Sequence, residues 1–152
     1  EARVMYREFF GFYCGPSHRL YGQDNIDVAE LRDEDAVSFQ TDELEGSLSG
    51  VARLRRRLGM RSEPRGLSSN LPEVRRMIVA NIGIGALPVH IARKDVQSGL
   101  LWQVPPYGAL PAVDIHMLTN PKRSMNRAEM ALLDMLQTEL DTVPLTERTY
   151  HV

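Results

Sequence analysis

The segment Asn70–Pro88, Asn-Leu-Pro-Glu-Val-Arg-Arg-Met-Ile-Val-Ala-Asn-Ile-Gly-Ile-Gly-Ala-Leu-Pro, constrains the fold more than any other stretch of the chain. It reads as a capped helix, a left-handed reversal and a short glycine-punctuated strand. Asn70 is placed to cap, Pro72 fits the first turn, and Glu73 three residues on completes a capping-box-like pair. Val74, Met77 and Ile78 share one helical face. Asn81 stands where the helix must reverse, and asparagine is, after glycine, the residue that best tolerates positive φ. A capped helix start aimed at a cleft offers free backbone N–H groups to small anions and polar ligands, which favours a binding domain over an enzyme.

Size and charge narrow the classes further. At 152 residues there is room for one domain, or for a domain plus part of another. Net charge of −2 gives no global pull toward nucleic acid, so these residues are not expected to touch DNA themselves. No apolar run approaches the ~18 residues of a membrane span, and no signal peptide is visible. The single Cys14 excludes an internal disulfide framework and fits a reducing cytoplasm. It reads as a small buried hydrophobe in a strand; a redox role would need exposure and a lowered pKa.

The chain opens on a strand. In Arg3–Cys14, Phe10, Phe12 and Cys14 alternate against Phe9, Gly11 and Tyr13. A strand at residue 1 with no preceding turn points to truncation. A short helix follows with Asp27 as N-cap, Glu30 at N3 and Ile26 against Leu31 as a staple, and Ala36–Gln40 reads as a strand. Thr41–Ser47 is an acidic loop before a helix over Ser47–Leu58, closed by Gly59 and striped by Leu48, Val51, Leu54 and Leu58. Its arginines, Arg53 and Arg55 to Arg57, with Arg61 and Arg65 beyond, read as a solvated face matched to the helix dipole in preference to a nucleic-acid patch; a partner subunit is a further alternative.

Beyond Pro88 the pattern gives a short helix to about Lys94, a strand Leu100–Val104, the connector Pro105–Gly108 and a strand Ala112–Asn120. Ser124 or Asn126 caps a final helix to about Leu140, with Met125, Ala128, Leu132, Leu136 and Leu140 as its stripe. Asp141–Val152 has no periodicity and is expected to fray. The element order β-α-β-α-β-α-β-α-β-β-α predicts an α/β fold with a largely parallel, buried sheet.

Catalytic and metal motifs are absent. Gly83-Ile84-Gly85 lacks the third glycine of a dinucleotide fingerprint and follows a helix instead of opening one. His18, His90, His116 and His151 have no metal-ligand spacing, and His18 reads as a loop histidine bonded locally. No nucleophile elbow, H-E-x-x-H or P-loop occurs. No catalytic residue, metal or cofactor is therefore expected.

In ordered blocks the chain resembles the C-terminal effector-binding region of LysR-type transcriptional regulators. Glu8–Cys14 followed by Pro16-Ser17-His18-Arg19-Leu20 resembles the family's strand and Pro-x-His-Pro-Leu turn, with Arg19 in place of the proline. Ile26–Asp33 and Val37-Ser38-Phe39 resemble the next helix and strand. Ile78–Pro88 resembles a glycine-rich block in which Asn81 replaces a glycine. Trp102–Val104, the proline-rich connector, Ile115–Thr119 and the final amphipathic helix complete a match over roughly residues 4–140.

The resemblance implies a periplasmic-binding-protein-like α/β domain of two subdomains (type 2) joined by two crossing strands. Residues 11–109 would be the complete second subdomain, residues 1–10 and 110–140 part of the first, and residues 141–152 a tail. The opening portion of the first subdomain and an N-terminal winged helix-turn-helix, which would carry the DNA contact, are missing from this sequence. By position, Phe39, Gln40, Thr41, Asn70 and Leu71 would face a small-molecule effector, with Phe39 as an apolar wall and Gln40, Thr41 and the Asn70 region supplying hydrogen bonds. Phe39 in the core, Asn70 only capping, and Gln40 and Thr41 in a solvated loop are the ordinary alternatives. The resemblance also implies a cytoplasmic, bacterial, non-enzymatic protein that assembles as a dimer or tetramer, with the Ser47–Leu58 helix as a candidate interface. A solute-binding protein without DNA-binding function and a small α/β enzyme are the competing classes.

Overall fold

The computed structural model describes residues 1–43 and 50–150. β1 (Ala2–Cys14) leads to a one-turn 3-10 helix (Val28–Leu31), β2 (Ala36–Phe39) and a second 3-10 turn (Gln40–Glu43). Then come α1 (Gly50–Arg57), β3 (Gly66–Ser68), α2 (Leu71–Val79), β4 (Ile84–Pro88) and α3 (Val89–Gln97). β5 (Trp102–Val104), β6 (Ala112–Leu118) and α4 (Arg127–Thr142) complete the order, which is the one the pattern predicts. Thr41–Ser47 and the start of the Ser47–Leu58 helix, with Leu48, fall partly outside the described residues, as does His151.

The sheet runs β3-β2-β4-β1-β5, with β6 also paired to β1. It is mixed, not largely parallel. β2 is parallel to β3 and β4, whereas β1 is antiparallel to β4, β5 and β6. The physical reason is the length of β1. Its first half pairs with β6, from Ala2↔Leu118 to Phe9↔Ala112, and its second half with β4, from Phe10↔Pro88 to Tyr13↔Gly85. One continuous strand thus serves two local sheets and must oppose the βαβ crossovers on one of them.

Alternation sorts the core. Phe10, Phe12, Cys14, Ala36, Ile84 and Ala86 point to one face, closed by Val51 of α1 and by Leu58 just past its end. Tyr13, Val37 and Leu87 point to the other, closed by Val74 and Ile78 of α2 and Ala92 of α3. Full burial of each of Val74 and Ile78 contributes roughly 1.5–3 kcal/mol. Cys14 is buried, and burial pushes its thiol up to about 12, which is the behaviour of a small hydrophobe. Asn81 adopts φ 59° at the reversal, as its position predicts.

Three local expectations need correction. The Asp27 helix is only a 3-10 turn: Asp27 accepts from the Ala29 N–H (2.8 Å), while Glu30 is drawn off by Arg19. On α4, Asn126 and Glu129 form a reciprocal capping box, but the inward face runs through Leu133, Leu136 and Leu140. Leu132 is 58% exposed and Ala128 is also exposed.

The tail does not fray through residue 150. Arg7 N–H donates to the Arg148 carbonyl (3.1 Å) and Tyr150 N–H to the Arg7 carbonyl (2.9 Å), so the tail lies beside β1 in an isolated parallel bridge. β1 carries an irregularity between Val4 and Tyr6, and the Arg148 guanidinium donates to the Val4 carbonyl (2.9 Å) and to that of Met5. The carbonyls freed by the bulge supply the partners that hold the tail down.

Candidate functional site

The parallel strands fix where a ligand wall forms. Phe39 pairs with Ser68 and Val37 with Gly85, so β2, β3 and β4 end at one edge of the sheet. Pro88, the last residue of β4, lies opposite Phe10 of β1, one residue past the pairing with β6. In open α/β sheets the crevice outside the carboxyl ends of strands is the usual ligand site. Here it coincides with the point where β1 passes from one local sheet to the other.

The five predicted residues gather at that edge. Phe39 and Leu71 are half-buried against the Tyr13–Val74–Ile78 cluster and give the edge an apolar floor. Gln40 is exposed and Thr41 half-buried, both in the 3-10 turn that continues β2. Asn70 is exposed at the start of α2.

The capping box expected at Asn70 does not form. Its carbonyl accepts from the Glu73 and Val74 N–H groups (3.0 and 3.2 Å), but its side chain makes no cap bond. Pro72 removes the N–H at N2, and Glu73 turns outward to Arg76. Ser68 Oγ accepts instead from the Asn70 N–H (3.1 Å), leaving the Asn70 amide uncommitted at the surface. A group that caps nothing is available to a ligand.

Sequence reasoning missed a cluster beside this wall. Glu8, the last-but-one residue of β1 paired with β6, is buried, and burial raises its carboxyl above the usual range. His90, second residue of α3, has its pKa lowered by burial and then by Arg93, and its Nε2 lies 3.9 Å from Glu8 Oε2. The His90 ring stacks on Tyr150 (centroids 4.0 Å, 15° between planes), and Tyr150 meets Tyr6 edge-on at 5.5 Å. The available signal was a carboxylate immediately before the apolar Phe9–Cys14 alternation, within the same strand; Tyr150 was hidden because the tail shows no periodicity.

The arginine run also divides. Arg53, Arg56 and Arg57 are exposed, as a solvated face requires, and Arg61 and Arg65 both engage Asp35 (2.9 and 2.8 Å). Arg55 departs from that reading: it is 2% exposed and donates to Ser38 Oγ (3.2 Å) and the Ser62 carbonyl (3.0 Å). Its place one turn from Val51 and Leu58 sets it on the inward face over β2, where Ser38 points the same way. His18 is the locally bonded histidine expected: its Nδ1 accepts from Leu20 N–H (3.2 Å) and its Nε2 lies 3.2 Å from Glu34. Among the described residues no three His, Cys, Asp or Glu side chains form a metal-binding group, and no helix is long and apolar enough to cross a membrane.

Comparison with known proteins identifies the fold and the family. The family model of the LysR substrate binding domain matches residues 1–141. The regulatory domain of CcmR from Synechocystis PCC6803, solved in complex with 2-PG, is similar with a TM-score of 0.66 and 18% identity over 95% of this chain and 68% of that one. The apo regulatory domain of HypT from Salmonella typhimurium superposes with a TM-score of 0.67 and 13% identity over 94% of this chain and 66% of its own. Full-length HypT, a hypochlorite-specific LysR-type transcriptional regulator, gives 0.69 and 13% over 94% of this chain, which spans 47% of it. No curated protein sequence matches. At these identities the structures establish the fold, a type 2 periplasmic-binding-protein-like α/β domain, and the match over residues 1–141 establishes the kinship: the chain belongs to the LysR substrate binding domain family.

Proposed function

We propose that this chain senses a small-molecule effector for a bacterial, cytoplasmic transcriptional regulator, with DNA contacted by a winged helix-turn-helix outside this sequence. The observation that carries the reading is the convergence of Phe39, Gln40, Thr41, Asn70 and Leu71 at the carboxyl ends of β2 and β3, beside the handover point of β1. Phe39 and Leu71 supply an apolar wall; Gln40, Thr41 and Asn70 supply hydrogen bonds. An effector bridging this wall and a facing subdomain stabilises one relative orientation of the two, which is the signal passed to DNA binding. The role is binding without catalysis, and no cofactor or metal is required.

On this reading residues 11–109 are the second subdomain and residues 1–10 with 110–140 part of the first; the exchange of β6 for β4 along β1 near Phe9 and Phe10 supports that division. Among the described residues β6 pairs only with β1, and Leu118 is 78% exposed. Assembly as a dimer or tetramer completes the reading, with the exposed side of α1 as the candidate interface.

The test is a heteronuclear NMR screen of this chain against small metabolites, repeated on Gln40→Ala and Asn70→Ala. A specific effector shifts amides of residues 39–41 and 68–72, and each exposed substitution weakens it about tenfold, the effect of a lost polar contact of ~1.4 kcal/mol. Binding that leaves those amides unmoved, or that ignores both substitutions, overturns the assignment of the wall.

A further inference from the structure

At the far end of the second subdomain lies a recess that this function does not use. It is about 450 Å³ and opens between the Gln23–Asn25 loop, Val96 near the end of α3, β5 and Tyr107 of the connector. Trp102 pairs with Cys14, four residues along β1 from Phe10, which puts the recess roughly 13 Å from the handover point.

Its aromatic wall is rigid. Trp102 donates its Nε1–H to the Gln23 carbonyl (3.1 Å), so the indole edge is anchored. Tyr21 packs against the indole at 5.6 Å and 55°, and its own hydroxyl is tied to the Gly99 carbonyl (2.5 Å). Tyr107 is 46% exposed beside it, and Val96 adds an aliphatic surface.

The polar side is held differently. Around the neighbouring turn, Glu30 and Glu34 are engaged by Arg19, and Asp35 by Arg61 and Arg65. Asp24, which lines the recess, takes part in no ion pair or hydrogen bond among the described residues, and its charge reaches Tyr107, whose hydroxyl is held above its ordinary pKa by burial and then by Asp24. A carboxylate without a cation therefore stands beside two aromatic rings. Ring faces attract cations, most strongly for Trp, and a nearby carboxylate adds to that attraction while repelling anions.

We infer that this recess binds a small organic cation, an ammonium group on a short hydrocarbon body, with Trp102 and Tyr107 contacting the body and Asp24 the charge. The site lies outside the effector wall, shares no residue with it, and stands or falls independently of it.

Trp102 is the chain's sole tryptophan, so its fluorescence reports occupancy directly. The probe is choline at constant ionic strength, set against its uncharged isostere 3,3-dimethylbutan-1-ol. The expected result is a saturable choline response with the neutral alcohol at least roughly tenfold weaker. Asp24→Asn, an exposed change that breaks no bond, weakens choline about tenfold and leaves the alcohol unchanged; Tyr107→Leu weakens choline. Equal responses to both probes, an unaffected Asp24→Asn variant, or no saturation by about 50 mM choline overturns the proposal.

Discussion

Gly15 offers a direct test of how α2 is seated. It is buried just beyond the end of β1, and a Cβ built on it falls 2.4 Å from the Ile78 carbonyl oxygen and 2.9 Å from that of Val79. Both obstacles are backbone, so no rotamer change relieves Gly15→Ala. The positive-φ glycines are Gly22, Gly59 and Gly99, so alanine at Gly15 meets a steric problem and no left-handed one. Restoring a C···O contact of about 3.3 Å requires the end of α2 to retreat by roughly 0.9 Å. That movement strains the reversal at Asn81, whose N–H donates to Ile78 O (3.0 Å), and the Ile82 N–H bond to Met77 O (3.0 Å). Overpacking costs about 1–3 kcal/mol, and a backbone obstacle places this change at the upper end. For a chain of this size ~3 kcal/mol corresponds to a fall in Tm of roughly 6–12 °C. Urea unfolding should show a lower midpoint at unchanged slope. Gly108→Ala is the control: nothing lies within 4 Å of its Cβ, and its Tm should be unchanged or slightly raised. A Gly15→Ala protein melting within about 1 °C of the parent refutes the argument.

Other expectations rest on separate groups. Native Cys14 should resist thiol reagents near pH 8 and react at the free-thiol rate only in denaturant, because burial pushes its pKa to about 12; rapid native labelling contradicts its burial. Arg75 forks onto Asp95 (2.5 and 2.7 Å), and these bonds hold the Asp95 carboxyl below its ordinary range. A depressed carboxylate contributes stability that is present above the unfolded pKa and lost as pH falls through the folded one. The stability gap between parent and Arg75→Met should therefore close as pH falls from the ordinary carboxylate range through the depressed Asp95 pKa, measured by urea melts; a gap independent of pH assigns the effect to packing.

Much of this fold was legible because local and tertiary preferences agree. Phe10, Phe12 and Cys14 alternate in sequence and share a core face; Asn81 takes the positive φ its position demands; Val74 and Ile78 lie inward on α2. The errors arise where a residue had two physical options. Glu73 could cap Asn70 or pair with Arg76, and its spacing serves both. Arg55 reads as one more charge on a basic helix, and only the serine beneath it on β2 makes the buried position tenable. The sheet's mixed direction could not be read from element order, because nothing in a 13-residue strand says which half pairs with which partner. The placing of Phe39, Gln40, Thr41, Asn70 and Leu71 at strand and helix ends could be read from their positions, whereas Glu8, His90 and Tyr150 meet only through tertiary contacts.

The missed cluster bears on how a bound effector could act. β1 continues through the handover without a loop, so rotation of one local sheet against the other must be absorbed by β1 and by whatever spans the same point. The tail does so. It is fastened to the first half of β1 by Arg148 and by the bonds flanking Arg7, while Tyr150 stacks on His90 at the start of α3. Burial raises the Glu8 pKa and lowers that of His90, and their 3.9 Å separation is longer than a hydrogen bond. Apolar and stacking contacts are short-ranged and forfeit about a quarter to a half of their attraction over a gap of roughly 0.5–1 Å. The stack of Tyr150 on His90 therefore holds the tail against α3 only while the two stay in van der Waals contact.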